Sequence, residues 1–217
     1  MASDLADIEF VVRVIAQTAV DNEKYFCELD SVVGDGDFGY SLARGFEIIL
    51  HDWDELDRSS APVFLQKVAM IITGRVGGTS GPIWGTAFLR AAMTLRKHDV
   101  LDGEAVVDML NTAIEGIKAR GGAEVGEKTL LDALVPMRDT IAELVADGTP
   151  SQGVVDGAAA RVRAAAEATS ALQARRGRAS YTGERSIGSP DAGAIAIAVM
   201  AEQIASCWPE RIHAQAS

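Results

Sequence analysis

Apolar residues recur along this chain at intervals of three and four, and almost nowhere at intervals of two. Between about Ser3 and Cys27 they fall at Ile8, Val11, Val12, Ile15 and Val20, the spacing that lines up one face of a 3.6-residue helix. A second segment carries Leu42, Phe46, Ile49 and Trp53 on one face, and a third, starting at Pro62, carries Leu65, Val68, Ala69 and Ile72. Pro82 and Pro190 mark the starts of a fourth and an eighth helix, because a first-turn proline lacks only an N–H that has no intrahelical partner. Between them lie a fifth (Val106, Leu110, Ile114, Ile117) stopped by Gly121-Gly122 and a sixth (Leu134, Ile141, Leu144, Val145) stopped by Gly148-Thr149-Pro150. An alanine-rich seventh begins at Ser151, and Pro136 should bend the sixth.

No segment alternates or clusters β-branched and aromatic residues as strands do. The expectation is all-α, with about eight helices. Mostly short connections make successive helices antiparallel neighbours, so the predicted architecture is an eight-helix up-down barrel. A length of 217 residues is enough to bury one core, and residues 1–217 read as a single domain. The composition, 48% hydrophobic but only 6% aromatic, suits a core of Ala, Val, Ile and Leu between helices.

Charge narrows the partners. A net charge of −11 opposes direct nucleic-acid binding, which depends on Lys and Arg neutralising phosphates. Cys27 and Cys207 lack metal-type spacing, and Asp4, Asp7 and Glu9 stand where a signal peptide is basic, so a reduced, cytoplasmic location is expected. No apolar run is read as approaching the ~20 residues that cross a bilayer, so no membrane partner is expected.

Three loops carry the chemistry. The first, Leu29-Asp30-Ser31-Val32-Val33-Gly34-Asp35-Gly36-Asp37-Phe38-Gly39, gathers three carboxylates among glycines between two helices. Like charges this close repel unless a cation compensates, and a hard divalent ion with oxygen ligands suits them. A solvated turn is the plainer alternative. Counting from Asp30 or Asp35 does not produce an EF-hand, and Gly34, Gly36 and Gly39 match a dinucleotide fingerprint only without its preceding strand. The second loop, from Gly74 to Gly85, exposes backbone N–H groups and the Thr79 and Ser80 hydroxyls at a helix start, which forms an anion cradle. Close helix packing explains its glycines equally well, Gly85 above all. The third, from Gly177 to Gly193, brings Arg178 and Arg185 before another helix start, and arginine offers phosphate a planar fork of donors. A solvated basic loop is its alternative. All three lie at helix ends of one parity, so they should converge at one end of the barrel. A Walker-like stretch, Gly121 to Thr129, fails as a phosphate loop because Glu127 separates Gly126 from Lys128 and no strand leads in.

Taken together, Gly34-Asp-Gly-Asp-Phe-Gly39, the Gly77-to-Gly81 segment, Thr129-Leu-Leu-Asp-Ala-Leu-Val-Pro136 and Gly177-Arg-Ala-Ser-Tyr-Thr-Gly-Glu-Arg-Ser-Ile-Gly188 resemble the dihydroxyacetone kinase subunit L family over nearly the whole chain. The resemblance implies an eight-helix barrel with nucleotide, ADP or ATP, at one end. It implies two Mg²⁺ ions on Asp30, Asp35 and Asp37. It assigns nucleotide contacts to Phe38, Gly39, Tyr40, Ser41, Thr79 and Ser80, adenine-pocket positions to Gly121 and Leu130, and further contacts to Arg178, Asp191, Ala192 and Gly193. No catalytic nucleophile is implied in this chain. A separate K subunit would hold dihydroxyacetone or a related sugar, in a hetero-oligomer or beside a homodimer of this chain. Some relatives use free ATP, and others keep ADP and have it recharged by a phosphoprotein of the phosphotransferase system.

Four positions depart from the family pattern. Phe38 and Ser41 stand where the family usually has His and Asn, Ser189 replaces a frequent His, and Ala192 a frequent Pro. Loss of the histidine leaves open an alternative to the kinase reading, a catalytically weakened nucleotide-binding module that regulates a partner, and the wholly apolar helix faces leave open another, a helical barrel with a lipid inside.

Overall fold

The structure, a computed structural model, describes residues 2–215. Nine α-helices run along them: α1 (Ala2–Asp21), α2 (Glu23–Ser31), α3 (Phe38–His51), α4 (Ala61–Arg75), α5 (Ser80–Leu95), α6 (Gly103–Gly121), α7 (Leu131–Ala146), α8 (Ser151–Ala168) and α9 (Ala192–Gln215). Short 3-10 turns occupy Trp53–Glu55, Thr169–Ala171 and Arg178–Ser186, and no strand occurs among the described residues.

The helix ends follow local chemistry. Ser60 caps α4 by accepting from the Val63 N–H, with Pro62 in the first turn, and Asp102 caps α6 by accepting from the Ala105 N–H at 2.9 Å. Each such cap is worth about 1 kcal/mol. Gly122 closes α6 in the left-handed conformation with φ of 58°, a geometry that glycine adopts without a Cβ penalty.

Three expectations need correction. The first helix is not continuous from Ser3 to Cys27, because the chain breaks step at Asn22, whose side-chain amide donates to the Thr18 carbonyl. This raises the count from eight to nine. The break redirects α2, which then runs on past Cys27 to carry Asp30. The second correction concerns α9, whose stretch Ala192–Ile212 is long and apolar enough to cross a membrane by length and composition. Here it packs against α8, α1 and α7. Trp53 also falls outside α3, in the turn that follows it.

Packing runs in sequence from α3 through α4, α5, α6, α7 and α8 to α9, and α9 packs back on α1, which packs on α3. The contacts therefore close a ring of eight helices, with α2 as an inserted ninth against α3. Neighbours run in opposite directions. The Thr94 and Thr112 hydroxyls meet at 2.7 Å across α5 and α6, while Arg90, earlier on α5, packs where Gly116, later on α6, lacks a side chain. Phe10 meets Trp208 edge-on at 5.9 Å between centroids, and Asp7 pairs with Arg211, so α1 and α9 are likewise antiparallel.

The largest buried cluster joins Val12, Phe26, Phe46, Ile49, Phe64, Val68 and Ile72. Each such fully buried side chain contributes roughly 1.5–3 kcal/mol of transfer free energy. Smaller clusters lie between α7, α8 and α9 (Ala133, Val162, Ala166, Ile195) and between α6 and α7 (Ile114, Ile117, Leu131, Leu134). Alanine at these faces lets helices approach closely. The ring thus holds its loops in fixed register at each rim.

Candidate functional site

Antiparallel order sends every second connection to the same rim. The α2–α3, α4–α5, α6–α7 and α8–α9 connections all line one cleft of about 950 Å³, large enough for a nucleotide-sized ligand.

The α2–α3 connection brings ligand oxygens of Asp30, Asp35 and Asp37 within 4.8 Å of one another. The geometry begins with α2, which presents Asp30 one residue before its end. Its Oδ2 accepts from the Gly36 N–H at 2.9 Å and the Phe38 N–H at 3.4 Å, folding the loop back around it. A Cβ at position 34 would lie 2.8 Å from Asp30 Cγ and 2.9 Å from its carbonyl oxygen, so only glycine fits. Gly36 has φ of 76°, where a side chain would be strained. The loop is built to turn three acids towards one point, and the Arg178 guanidinium pairs with Asp35 there. Three carboxylates so close, with one cation beside them, form a donor set that fits hard divalent ions.

Beside this loop lies the start of α5. Gly77, Gly78, Thr79 and Ser80 line the cleft, and a Cβ at Gly77 would lie 2.9 Å from Ser41 Oγ. That contact sets the glycine-rich segment directly against the first turn of α3. Further in, Ile83, Trp84, Ile117, Gly121, Ala123, Leu130 and Leu131 give the cleft an apolar wall. A Cβ on Gly121 would approach Ile83 Cδ1 to 3.1 Å, so a larger residue there would narrow the slot.

The last wall comes from the α8–α9 connection, with Arg175, Arg176, Arg178 and, at the start of α9, Asp191, Ala192 and Gly193. Asp191 Oδ2 caps α9 by accepting from the Ala194 N–H at 2.7 Å. Burial pushes its carboxyl pKa up to about 7, against the pull of that hydrogen bond; Asp132 and Asp30 raise it further and the Lys128 ammonium lowers it.

Of the residues named from sequence, Asp30, Asp35, Asp37, Phe38, Ser41, Thr79, Ser80, Gly121, Leu130, Arg178, Asp191, Ala192 and Gly193 line this cleft. Gly39 and Tyr40 do not. Gly39 faces α2, where the Glu23 carbonyl and Cys27 fill the place of a side chain, and Tyr40 points outward, 53% exposed, under the Arg44 guanidinium. Phe38 has a second allegiance, because its ring lies 6.2 Å from that of Phe26 and it packs against the main core.

Sequence reasoning passed over Asp132, Arg176 and Lys128. Asp132 accepts from the Thr129 N–H at 2.8 Å and from the Gly126 N–H, which is the return arm of a capping box, legible as Thr129-Leu-Leu-Asp132. Arg176 grips Glu127 through two bonds of 2.6 and 2.9 Å; both lie far apart in sequence, and no local signal pairs them.

An all-helical ring whose rim collects three carboxylates, a glycine-rich helix start and an arginine-bearing segment defines the class of domain. The DAK2 domain matches residues 32–206, and the chain belongs to that family. It is 34% identical over 182 residues to the ADP-binding subunit DhaL of the PEP-dependent dihydroxyacetone kinase of Escherichia coli, covering 84% of this chain and 87% of that one. It is 35% identical to the L-erythrulose 1-kinase of Mycolicibacterium smegmatis, covering 89% of this chain but 34% of that enzyme. Among solved structures, the dihydroxyacetone kinase of C. freundii in complex with AMP-PNP and Mg²⁺ superposes with a TM-score of 0.75 at 27% identity, over 93% of this chain and 34% of that one. This chain therefore spans about a third of the length of those two longer kinases.

Proposed function

We propose that this chain is the ADP- or ATP-binding subunit of a dihydroxyacetone-type kinase, and that it passes a phosphoryl group to a small ketose held by a separate K subunit. The observation that carries this reading is the convergence of Asp30, Asp35 and Asp37 to within 4.8 Å at a cleft also lined by Arg178 and the Gly77–Ser80 segment. Nucleotide would lie with its base against Ile83, Ile117, Gly121 and Leu130 and its phosphates towards the acids.

Two Mg²⁺ ions on the three aspartates would neutralise phosphate charge during transfer. The chain's own part is positioning and electrostatics. The N–H groups at the start of α5 and the Thr79 and Ser80 hydroxyls would hold the phosphates, and Arg178, paired with Asp35, would supply positive charge to the transferred group. The apolar wall excludes water from the base. No side chain of this chain attacks the phosphorus, so the acceptor hydroxyl must come from the partner's sugar.

The sugar is dihydroxyacetone or a four-carbon ketose, since relatives named for each resemble this chain. The donor is free ATP or a phosphoprotein of the phosphotransferase system that recharges bound ADP. A cytoplasmic location and assembly as a homodimer or with the K subunit accompany this reading.

Binding is tested by thermal unfolding. ADP with millimolar Mg²⁺ raises the melting temperature, and Asp35→Asn abolishes the rise. Absence of any nucleotide-dependent shift in the parent chain would sink the proposal. Turnover with a K subunit, ATP and triose tests transfer, and activity appearing only with a phosphotransferase-system donor identifies the ADP-retaining subclass.

One observation favours a second reading, a nucleotide-binding regulator of a partner protein. Phe38 turns its ring to Phe26 and the core and gives the phosphates no side-chain donor. Bound nucleotide with no turnover under either donor would select it.

A further inference from the structure

Lys128 is the one non-glycine residue among the described residues with positive φ, 61°, and it is 3% exposed. Both facts oppose lysine. A side chain in that backbone region is strained, and a buried ammonium loses its hydration. Burial accordingly lowers its pKa, while Asp191 raises it.

What the ammonium gains is three backbone carbonyls. Nζ donates to Leu172 O at 3.1 Å, to Ser189 O at 2.6 Å and to Ser186 O. An ammonium has three donors and no acceptor, so its capacity is filled. The three carbonyls are not random neighbours. Leu172 opens the connection between the turn after α8 and the start of α9, and Ser186 and Ser189 close it. Between them lie Arg175, Arg176 and Arg178. Other ties hold the same segment at its ends: the Arg175 N–H donates to Glu127 O at 3.1 Å, the Gly188 N–H to Ser170 O at 2.8 Å, and the Ala174 N–H to Ser186 Oγ at 2.8 Å. Nearer its middle, Arg176 grips Glu127 through two bonds of 2.6 and 2.9 Å, and Arg178 pairs with Asp35 across the cleft.

We propose that Lys128 is a positioning residue, which clamps both ends of segment 172–190 through these carbonyls and so sets where Arg178 stands over the cleft. The Walker-like Gly126-Glu127-Lys128-Thr129 stretch thus contains a lysine whose three donors all go to carbonyls of the arginine-bearing loop, and it acts through that loop. Arginine cannot replace it. A planar guanidinium directs its donors outward in a fork, whereas these carbonyls converge on one nitrogen.

The consequence for nucleotide rests on the proposed function; the consequence for the loop does not. Hydrogen–deuterium exchange on the ligand-free full chain, with Lys128→Met and Lys128→Arg, reads the loop directly. In both variants the amides of Ala174, Arg175 and Gly188 should exchange at least tenfold faster, with the interiors of α5 and α6 unchanged. A purely structural lysine would speed all of them together. Mg²⁺-ADP, by calorimetry, should bind about tenfold more weakly to both variants. Unchanged exchange at those three amides in either folded variant overturns the proposal. Should Lys128→Met not fold, Lys128→Arg decides alone, and parent-like exchange and affinity in it overturn the clamp. If the parent chain binds no Mg²⁺-ADP, the nucleotide reading fails while the exchange arm still tests the clamp.

Discussion

Asp37→Asn should move two measurements in opposite directions. Asp37 is exposed, precedes α3 and makes no side-chain cap bond, so its neutralisation costs the helix no cap. Its carboxylate lies within 4.8 Å of those of Asp30 and Asp35. At that distance each like pair repels by about 1 kcal/mol in bulk water and about 3.5 kcal/mol at an effective dielectric of 20. Exposure keeps the value near the lower figure, so two pairs amount to about 2 kcal/mol. The charge at the helix N-terminus and the Arg178 cation beside Asp35 offset about half of this. Relief of about 1 kcal/mol remains, which for a chain of this size raises the melting temperature by about 2–4 °C. Scanning calorimetry in EDTA at low salt should show that rise, and 1 M salt, with a Debye length of about 3 Å, should erase it. The same variant should lose most of the Mg²⁺-dependent stabilisation by ADP. A variant less stable than the parent in EDTA, or one keeping its full Mg²⁺-ADP shift, would refute the view that these acids are held together for a cation.

Asp191→Asn tests the carboxyl at the start of α9. Its folded pKa, about 7, exceeds the ordinary 3.8, so the folded state binds the proton more tightly and the parent loses stability as pH rises from about 4 to 7. The asparagine variant can still accept from the Ala194 N–H. In metal-free buffer it should match the parent near pH 4 and exceed it above pH 7, by urea unfolding; a constant difference across that window would rule out the shift. Phe38→Ala should lower stability by about 3 kcal/mol, from lost burial and the aromatic contact with Phe26, while Mg²⁺-ADP still raises the melting temperature. Loss of that response would assign Phe38 a direct role at the nucleotide.

The helices were legible because burial in a ring of helices imposes one period on every segment. Ile114 and Ile117 or Val68 and Ile72 announce their faces without reference to partners. Boundaries were less so. Pro82 and Pro190 lie near, but not at, the starts of α5 and α9, which begin at Ser80 and Ala192. The break at Asn22 was hidden because apolar spacing continues through it and a single residue shifts the phase. At the site, the acids were readable as a cluster because they are local in sequence. Lys128 was not, since its partners at 172, 186 and 189 lie more than forty residues away. The family resemblance assigned the whole run from Phe38 to Ser41 to the ligand, yet on a helix consecutive residues point about 100° apart, and only Phe38 and Ser41 of that run line the cleft.

Because the rim takes its parts from residues 30–41, 77–84, 117–131 and 175–193, no fragment of the chain contains a quarter-finished version that could hold a ligand weakly. The opposite rim, with connections at 52–60, 96–102 and 147–150, carries none of these groups. Cutting the chain there and joining its antiparallel end helices would preserve every wall. Length and composition can drift on that side without touching the chemistry, whereas on the working side an inserted residue would displace the groups its own connection brings to the cleft.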